Sequence, residues 1–596
     1  MNNRDTNSLK RVIKETITSY KIESFIVLVL IIVSSIANVY GSMFLKSLID
    51  DYIVPLLSQT VPNYTPLFNA LMELVMIYGV GILATYGFNR IMVTISLGTL
   101  KHIRDELFEH MQTLPLRFFD THAHGDIMSV YTNDTDTLRQ LISQSIPQVI
   151  VSLMTIISVT ISMFILNVPL AVLTIACGLL MVYTSKKISA KSGKYFIAQQ
   201  KQLGVENGFI EEMMEGSKVI KVFTHEEQSI IDFDHVNDAL FEASANANTF
   251  ANVLMPVVMN IGYISYVLVA VVGSIFALNH IAGLTLGGIA AFLQLNRSFT
   301  NPIGQISMQL NAVIMADAGA KRIYEIIDTE SEVDDGVVTL EQIDHDHWAW
   351  HHPRKDGQDE LVPLRGDVRF ENVNFSYNPD KQILFDVSLF AKPGQKIAFV
   401  GATGAGKTTI TNLINRFYDI QSGSITYDGI DVKLIKKADL RKSLGIVLQD
   451  TNLFTGTIMD NIRYGRLDAS DEECIAASKL ANAHEFIKHL EHGYDTMIHA
   501  GGESLSQGQR QLLSIARAAV ANPPVLILDE ATSSIDTHAE RIVQEGMDKL
   551  MEGRTVFVIA HRLSTIQNSD AIMVLEQGHI IERGNHEDLS KQKGKY

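Results

Sequence analysis

The chain has 596 residues, of which 46% are hydrophobic and 19% charged, and its formal net charge is −17. This length exceeds what one hydrophobic core supports, so the sequence predicts several domains. The negative charge argues against nucleic acid as a partner, because a phosphate-binding surface is basic, and two distant cysteines, Cys177 and Cys474, argue against a disulfide framework.

Residues 1–22 are predicted to form a cytoplasmic amphipathic helix on the membrane surface. The stretch 8–22 has the pattern of such a helix, and basic residues, Lys10, Arg11 and Lys14 among them, precede the first apolar segment. The N-terminus lacks the apolar run of a signal peptide.

Residues 23–325 are predicted to form a transmembrane domain of six helical spans. The segment 25–45 has no charged residue and is long enough to cross a hydrocarbon core of about 30 Å as one helix. A second segment, 67–88, carries a single acid, Glu73. Stretches without any Asp, Glu, Lys or Arg predict two spans within 140–185, around the turn Asn167-Val-Pro169, and two more within 243–296, around the turn 279–285.

Basic residues indicate how the six spans are oriented. Lys and Arg are frequent before the first span and in the loops 89–140 and 186–248, and they are nearly absent from the alternate loops. Both termini and the two long loops are therefore predicted to be cytoplasmic. The helical period of these loops predicts that spans 2 to 5 continue well beyond the membrane, either to carry force to a cytoplasmic domain or as solvated hairpins without such a role.

Residues 326–366 are predicted to be a linker. They contain DHDHWAWHHP at 344–353, which has four histidines and both tryptophans of the chain. A metal site is disfavoured because no cysteine or ordered ligand spacing supports it. A polar linker whose tryptophans pack on a neighbouring domain is favoured.

A strand, loop and helix pattern predicts a phosphate-binding site in the last domain, residues 367–596. The apolar run KIAFV is followed by GATGAGKT at 401–408 and then by a helical pattern. Glycines let backbone N–H groups close around phosphate oxygens, and the helix presents its positive end to them. Lys407 is expected to neutralise the β- and γ-phosphates, and the Thr408 hydroxyl to bind Mg²⁺. The glycines concerned are Gly401, Gly404 and Gly406.

Two further apolar runs end in residues suited to ATP hydrolysis. VLILDE, at 525–530, is typical of a strand buried on both faces. At its end Asp529 is placed to hold Mg²⁺ and Glu530 to polarise the attacking water, although a helix-capping acid is an alternative for Glu530. VFVIAH is a second such strand, and His561 at its carboxyl end is placed to contact a γ-phosphate.

These motifs, in this order, resemble an ABC transporter half of the exporter type, and in particular the catalytically intact subunit of bacterial heterodimeric multidrug exporters. The resemblance covers essentially the whole chain. It implies an ATPase with a membrane all-α bundle of six long transmembrane helices, followed by an α/β P-loop NTPase domain with a helical subdomain. The further matching segments are FSY at 375–377, IVLQD at 446–450, LSQGQ at 505–509, SSID at 533–536 and, as a first cytoplasmic loop whose tip docks on the nucleotide domains, 117–138.

The resemblance also assigns the residues of the site. Catalytic roles are implied for Glu530, His561 and Gln449, and Tyr377 is expected to stack on adenine. The implied Mg²⁺ ligands are Thr408, Gln449 and Asp529. Contacts with ATP are further implied for Gly401, Thr403, Gly404, Ala405, Gly406, Lys407, Thr408, Thr409, Ser506, Gln507, Gly508, Gln509 and Asp536.

The signature segment LSQGQ departs from the family's usual Leu-Ser-Gly-Gly-Gln at Gln507. In this family the signature helix of one subunit caps the ATP held by the other, so Ser506 and Gly508 would contact the γ-phosphate in trans. An altered signature beside an intact Glu530 and His561 favours a heterodimer, in which LSQGQ forms a slow site with a second half-transporter. A homodimer, with Gln507 as a tolerated change, is the alternative.

The implied function is ATP-driven export of amphipathic small molecules, most readily multidrug export, across a bacterial inner membrane by alternating access. Lipid or peptide export and an ATP-gated channel or sensor are alternatives, and membrane lipids are expected partners. Met and aromatic residues on spans 5 and 6 suit such a cargo, but they equally suit helix packing. Glu73 within a span would pair with a cationic drug or with another helix. The cargo candidates are Met255, Met259, Asn260, Tyr263, Tyr266, Gln294 and Asn296.

Overall fold

The chain forms two compact units, each with a hydrophobic core of its own. One consists of the residues up to Thr113 together with His122–Glu330, and the other of Leu114–Thr121 together with Ser331–Tyr596. The computed structural model describes residues 8–57, 59, 61–279, 281–344, 347–353, 359–448, 451–502, 504–529, 537–559, 566–592 and 594–596.

The described part of the first unit is helical. Helix α2 packs along α4, and α9 packs along α11. The helices up to residue 327 are α1 Ser8–Ser19, α2 Lys21–Ser47, α3 Val54–Leu57, α4 Thr65–Met111, α5 Leu116–Thr121 (in the second unit), α6 His124–Ser129, α7 Thr135–Gln140, α8 Ile146–Leu166, α9 Val168–Glu215, α10 Ser217–Phe223, α11 Glu226–Leu278 and α12 Leu286–Ile327, with wider helical turns at Leu48–Ile53, Val130–Asp134 and Leu141–Ser145 and a tighter one at Ile281–Gly283.

Six spans were expected, and five helices of the described part are long and apolar enough to cross a membrane. The expected sixth span corresponds to α12, a helix of 42 residues that falls outside these five. Polar residues in its first half, Gln294, Asn296 and Arg297 among them, explain why its composition is less apolar. The five helices are Lys21–Leu57, Thr65–Met111, His124–Leu166, Val168–Glu215 and Glu226–Leu278.

The long helices extend well past any bilayer, as the period of the two loops predicts. Helices α4, α9 and α11 have 47, 48 and 53 residues. At a rise of 1.5 Å per residue they are roughly 70–80 Å long, more than twice the thickness of a hydrocarbon core. The predicted turn at Asn167 is confirmed, because its side chain accepts the backbone N–H of Leu170 at 3.1 Å and so caps α9.

Polar contacts tie α12 to its neighbours at its C-terminal half. The carboxylate of Asp134 is only 2% exposed and accepts two hydrogen bonds from the guanidinium of Arg322, one of them at 2.7 Å. A buried carboxylate needs such a partner, since an unpaired charge at this position would be costly. At the end of α12, Tyr324 donates to Glu15 of α1 at 2.6 Å, and Arg11 of α1 binds Asp328 at 2.8 Å.

The second unit is an α/β domain around a six-stranded sheet of order β15-β14-β6-β13-β12-β9, in which β15 alone is antiparallel. Its strands are β6 Lys396–Val400, β9 Leu444–Val447, β12 Val525–Asp529, β13 Thr555–Ile559, β14 Ala571–Glu576 and β15 His579–Gly584. A four-stranded sheet contains β4 Val368–Phe375, β5 Leu384–Ala391, β7 Ser422–Tyr427 and β8 Ile430–Asp431, and a short pair contains β10 Gly456–Thr457 and β11 Met497–Ile498. The helices are α13 Lys407–Ile414, α14 Lys437–Lys442, α15 Ile458–Arg463, α16 Asp471–Leu480, α17 His484–Lys488, α18 Gln507–Ala521, α19 Thr537–Met551 and α20 His586–Gln592.

The segment predicted as a linker contains an antiparallel sheet of three strands, β1 Thr339–Gln342, β2 Trp348–His352 and β3 Glu360–Pro363. Trp350 is fully buried, and its ring packs edge to face on Tyr427 with centroids 5.4 Å apart. The Trp350 Nε1 donates to Asp428 at 3.2 Å, and the same carboxylate accepts three consecutive backbone N–H groups, of residues 365–367. Burial raises the pKa of Asp428, although these donors favour its charged form.

Replacement of Trp350 by alanine is expected to destabilise this unit by about 3–5 kcal/mol, because it leaves a cavity and removes one donor from the Asp428 carboxylate. Trp348 is the matched control, since its side chain is only half-buried and Lys442 lies over its ring at 4.7 Å. Thermal unfolding of the full-length protein in detergent, monitored by size-exclusion chromatography, should show that Trp350→Ala lowers the melting temperature much more than Trp348→Ala does. Equal falls would contradict this role for Trp350.

Candidate nucleotide-binding site

The loop between β6 and α13 has the backbone shape that a phosphate cradle requires. Gly401, Gly404 and Gly406 have φ of 155°, 81° and 104°, the left-handed region that favours glycine. A Cβ at Gly401 would overlap the carbonyl oxygen of Leu575, and one at Gly406 would lie 2.7 Å from a methyl group of Leu384. The loop therefore depends on glycine at the positions that the motif predicts.

Lys407 lies inside this loop as the first residue of α13. Its Nζ donates to the carbonyl oxygens of Gly401 and Ala402 at 2.7 and 3.0 Å, and the residue is 9% exposed. Burial lowers the pKa of Lys407, and the nearby charge of Asp529 opposes this shift. The ammonium group is thus held next to the backbone that would surround phosphate oxygens.

Tyr377, the residue predicted to stack on adenine, lies beside the same helix. Its hydroxyl donates to the Thr409 hydroxyl at 3.2 Å and accepts from the Asn412 amide at 3.3 Å. Its ring packs edge to face on Phe375 and Tyr418, with centroids 4.9 and 4.8 Å away. Tyr377 and Thr409, both predicted to contact ATP, are therefore brought together.

Tyr418 connects this aromatic cluster to the first cytoplasmic loop. Its hydroxyl donates a hydrogen bond to the Asp120 carboxylate on α5. Burial and this carboxylate raise the pKa of Tyr418. Helix α5 lies at the start of the segment 117–138 that was predicted to dock on the nucleotide domains, and Leu114–Thr121 is part of this unit.

Thr408 and Asp529 fit the donor set that Mg²⁺ prefers. The Thr408 side chain is exposed at the loop, and Asp529 is half-buried at the carboxyl end of β12. Hydroxyl and carboxylate oxygens are hard ligands of the kind that bind Mg²⁺ beside phosphates. Thr408 follows Lys407 in the chain, and the charge of Asp529 is close enough to influence the pKa of Lys407.

Four predicted site residues, Gln449, Glu530, Asp536 and His561, lie outside the described residues. The strands that precede three of them are neighbours in one parallel sheet, in the order β13-β12-β9. Parallel strands place their carboxyl ends at one edge, so Ile559, Asp529 and Val447 end at the same side as the phosphate loop after β6.

The signature segment begins α18. Ser506 is exposed and caps the helix, since its hydroxyl accepts the backbone N–H of Gln509 at 3.3 Å while the Gln509 side chain accepts the N–H of Ser506 at 2.9 Å. Gly508 is buried and Gln507 is half-buried at the first helical position. The helix thus presents Ser506 and its N-terminal backbone outward, where an anion is favoured.

Gln511 is a residue of this region that the sequence analysis missed. It is 3% exposed, and its amide oxygen accepts the Thr451 hydroxyl at 3.0 Å while its amide nitrogen lies 3.5 Å from the carbonyl oxygen of Leu448. In the sequence, these two partners come directly before and two residues after Gln449. The signal that could have found it is a glutamine at a helical position whose neighbours, Leu512 and Ile515, are apolar.

The cargo candidates in the first unit have different surroundings. Asn296 is 1% exposed and accepts the Ser265 hydroxyl at 2.9 Å, so it packs between α11 and α12. Glu73 is exposed and accepts the Tyr40 hydroxyl at 3.3 Å. Of the others, Met259, Asn260, Tyr263 and Gln294 are exposed, and Met255 and Tyr266 are half-buried.

Comparison with known proteins identifies the relatives of this chain. Residues 24–303 match the ABC transporter transmembrane region, and residues 384–533 match the ABC transporter family. YfiC of Bacillus subtilis, an ABC transporter ATP-binding protein, is 40% identical over 594 residues, which cover 100% of this chain and 94% of that protein. A fatty acid ABC transporter ATP-binding/permease protein of Mycobacterium bovis is 38% identical over 498 residues, 84% of this chain and 75% of that protein.

A solved structure has the same architecture. A bacterial Atm1-family ABC exporter with ATP bound superposes with a TM-score of 0.74 at 27% sequence identity, and the match covers 96% of both chains. Fold and site therefore define an ATP-hydrolysing membrane transporter with a cytoplasmic nucleotide-binding domain. The chain belongs to the ABC transporter family, as a half-transporter of the exporter type.

Replacement of Gln511 by leucine is expected to slow ATP hydrolysis roughly tenfold, because its hydrogen bond with Thr451, two residues after Gln449 in the sequence, is lost and the Thr451 hydroxyl is left without this partner. Thr451→Val should cause a similar loss, and the double variant should be no slower than either single one. Thr451→Ser, which keeps the hydroxyl, should stay close to the wild type. Losses that multiply in the double variant would show that the pair does not act as a unit.

Proposed function

We propose that the chain exports amphipathic small molecules, in the manner of a multidrug exporter, across a bacterial inner membrane by ATP-driven alternating access. The observation that carries this proposal is the glycine cradle around Lys407 in a unit that shares one chain with five helices long and apolar enough to cross a membrane. Segment 114–121 supplies a physical link, because it belongs to the nucleotide-binding unit although its sequence lies between two spans.

The site residues have separate roles in this proposal. The N–H groups of Gly401–Gly406 and the Lys407 ammonium bind phosphate oxygens of ATP, and Tyr377 orients the adenine. Thr408, Asp529 and Gln449 would hold Mg²⁺, which when bound supplies positive charge to the β- and γ-phosphates. Further contacts come from Thr403, Ala405, Thr409 and Asp536 on this chain, and from Ser506, Gln507, Gly508 and Gln509 across the dimer.

Hydrolysis depends on two residues at the strand ends of this chain. Glu530 accepts a proton from the attacking water, and His561 donates a hydrogen bond to the γ-phosphate. ATP binding joins two nucleotide domains, the long helices transmit that closure to the spans, and hydrolysis resets the transporter.

ABC exporters work as dimers, and we propose that the partner is a second, different half-transporter. Gln507 replaces a glycine at the first position of α18, and its half-buried side chain stands next to the exposed Ser506. A side chain at this point alters a surface that would approach ATP bound by the partner. The partner would supply a regular signature to the site formed by Lys407 and Glu530.

Lipid export is a second candidate function. Its support is the Mycobacterium bovis relative, which is named a fatty acid transporter and matches 84% of this chain. A fatty acid and many drugs share an apolar body with one polar end, so both suit a membrane domain whose exposed residues include Met259 and Tyr263.

Glu530→Gln is expected to abolish ATP hydrolysis, by a factor of about 100 or more, while ATP still binds, because the variant cannot accept the proton of water. Glu552→Gln is the control, since Glu552 is an exposed acid of the same unit, and it should retain full activity. Inverted vesicles containing the transporter and its partner should lose ATP-dependent uptake with Glu530→Gln. Continued solute flux without hydrolysis would instead indicate a channel.

The purified chain alone, in lipid nanodiscs, is expected to show little vanadate-sensitive ATPase activity, and co-expression with a second half-transporter should restore it. Particle mass and activity are measured on the same sample. Robust activity from a particle with two copies of this chain would establish a homodimer. In that case Gln507→Gly should leave the rate nearly unchanged.

A further inference from the structure

One face of α12 carries a row of exposed polar side chains inside the membrane unit. Gln294, Arg297, Asn301 and Gln305 follow each other at intervals of three and four residues, so they share one side of the helix. We call this row the polar stripe. The opposite side of α12 is packed into the core of the unit through Phe292, Leu295 and Phe299.

Arg297 is placed deep along this stripe. It lies eleven residues after Leu286, the first residue of α12, which corresponds to about 16 Å along the helix and roughly half of a hydrocarbon core. Its guanidinium stands over the ring of Tyr266 on α11, 5.4 Å from the ring centroid. Among the described residues, no carboxylate lies within ion-pair distance of it.

The surrounding sequence contains few acids that could neutralise Arg297. It is the only charged residue between 243 and 316, and the apolar segments 25–45 and 140–185 contain none. Glu73 is the single acid of the remaining span, about 12 Å along α4 from its start, and its carboxylate accepts the Tyr40 hydroxyl. A second copy of this chain would add one such acid together with another Arg297, so it would bring no excess of negative charge.

An arginine at this depth does not face lipid tails without cost. Exposure of a charged side chain to the centre of a bilayer is energetically costly, and such residues face a bundle interior or a water-filled cavity. Another member of the polar stripe, Gln305, also has a polar partner, since it accepts the Gln148 amide of α8 at 2.7 Å. Met259 and Tyr263 on the neighbouring helix α11 are exposed as well.

We infer that Arg297 binds the anionic headgroup, a carboxylate or a phosphate, of an amphiphile in the transport path, with Gln294 and Asn301 as neighbouring polar contacts. This inference rests on the proposed export function and names the chemical class of its substrate. A guanidinium forms two parallel hydrogen bonds with either group, and in a place with little water this pairing is strong. The same positive charge disfavours a cationic drug at this depth.

The test compares ligands that share one hydrocarbon chain and differ in the headgroup. Oleate and oleoyl lysophosphatidate are the anionic probes, and oleyl alcohol and oleylamine are the neutral and cationic ones. Binding is measured on the full-length transporter in nanodiscs without ATP, by displacement of a fluorescent fatty acid at a pH where the carboxylate is ionised. We expect at least one anion to bind about tenfold more tightly than the alcohol, and the amine to bind most weakly. The tighter of the two anions then distinguishes a fatty acid from a phospholipid headgroup.

Variants assign the preference to Arg297. Arg297→Gln should remove the difference between anion and alcohol, whereas Arg297→Lys should keep most of it. Arg90→Gln is the matched control, because Arg90 is also exposed but lies about 37 Å along α4, beyond the hydrocarbon core. If Arg297→Gln does not fold, the wild-type ranking of the four ligands still decides, and equal binding of oleate and oleyl alcohol would overturn the inference.

ATP hydrolysis, measured separately, distinguishes a failure of the anionic headgroup from a failure of the proposed export function. A chain that hydrolyses ATP with its partner but binds all four ligands alike refutes the anionic headgroup and leaves export standing. A chain that prefers anions but never couples ATP to their movement refutes the export function. Retention of the anion preference in Arg297→Gln would show that residues other than Arg297 bind the anionic headgroup.

Discussion

The nucleotide-binding unit depends on the burial of parallel strands on both faces. Strands β12 and β13 are almost entirely enclosed, and with β6 and β9 they direct their carboxyl ends to one edge. Apolar packing of the strands fixes the position of this edge, while the residues expected to bind ATP lie in the segments that follow the strands. The phosphate loop after β6 is the described example, since Gly401 lies against Leu575 of β14 and Gly406 against Leu384 of β5.

The parts of this structure that could be predicted are those with a local cause. The phosphate loop requires glycine at set spacings, and a span requires an uncharged run, so both are visible in a single segment of sequence. The long-range ties could not be predicted, because the pairing of Thr451 with Gln511 joins residues sixty positions apart. The sheet around Trp350 escaped prediction for a similar reason, since its strands have four or five residues and its buried ring is stabilised by Tyr427 and Asp428.

The membrane unit shows how a few polar residues acquire importance in an apolar environment. Asn296 and Arg297 are adjacent in α12, yet one is enclosed with Ser265 and the other is exposed. Their positions differ by about 100° around the helix, which separates a packing role from a surface role. All four residues of the polar stripe on α12 are exposed, whereas Asn296 is buried with a hydrogen-bond partner.

Tyr418 makes two different kinds of contact. Its ring packs edge to face on Tyr377, and its hydroxyl donates to the carboxylate of Asp120. The contacts of Tyr418 therefore run from the residue that stands beside α13 to a helix whose sequence lies between two of the membrane helices. A change at Tyr418 alters both ends of this chain of contacts at once, although neither end is adjacent to it in the sequence.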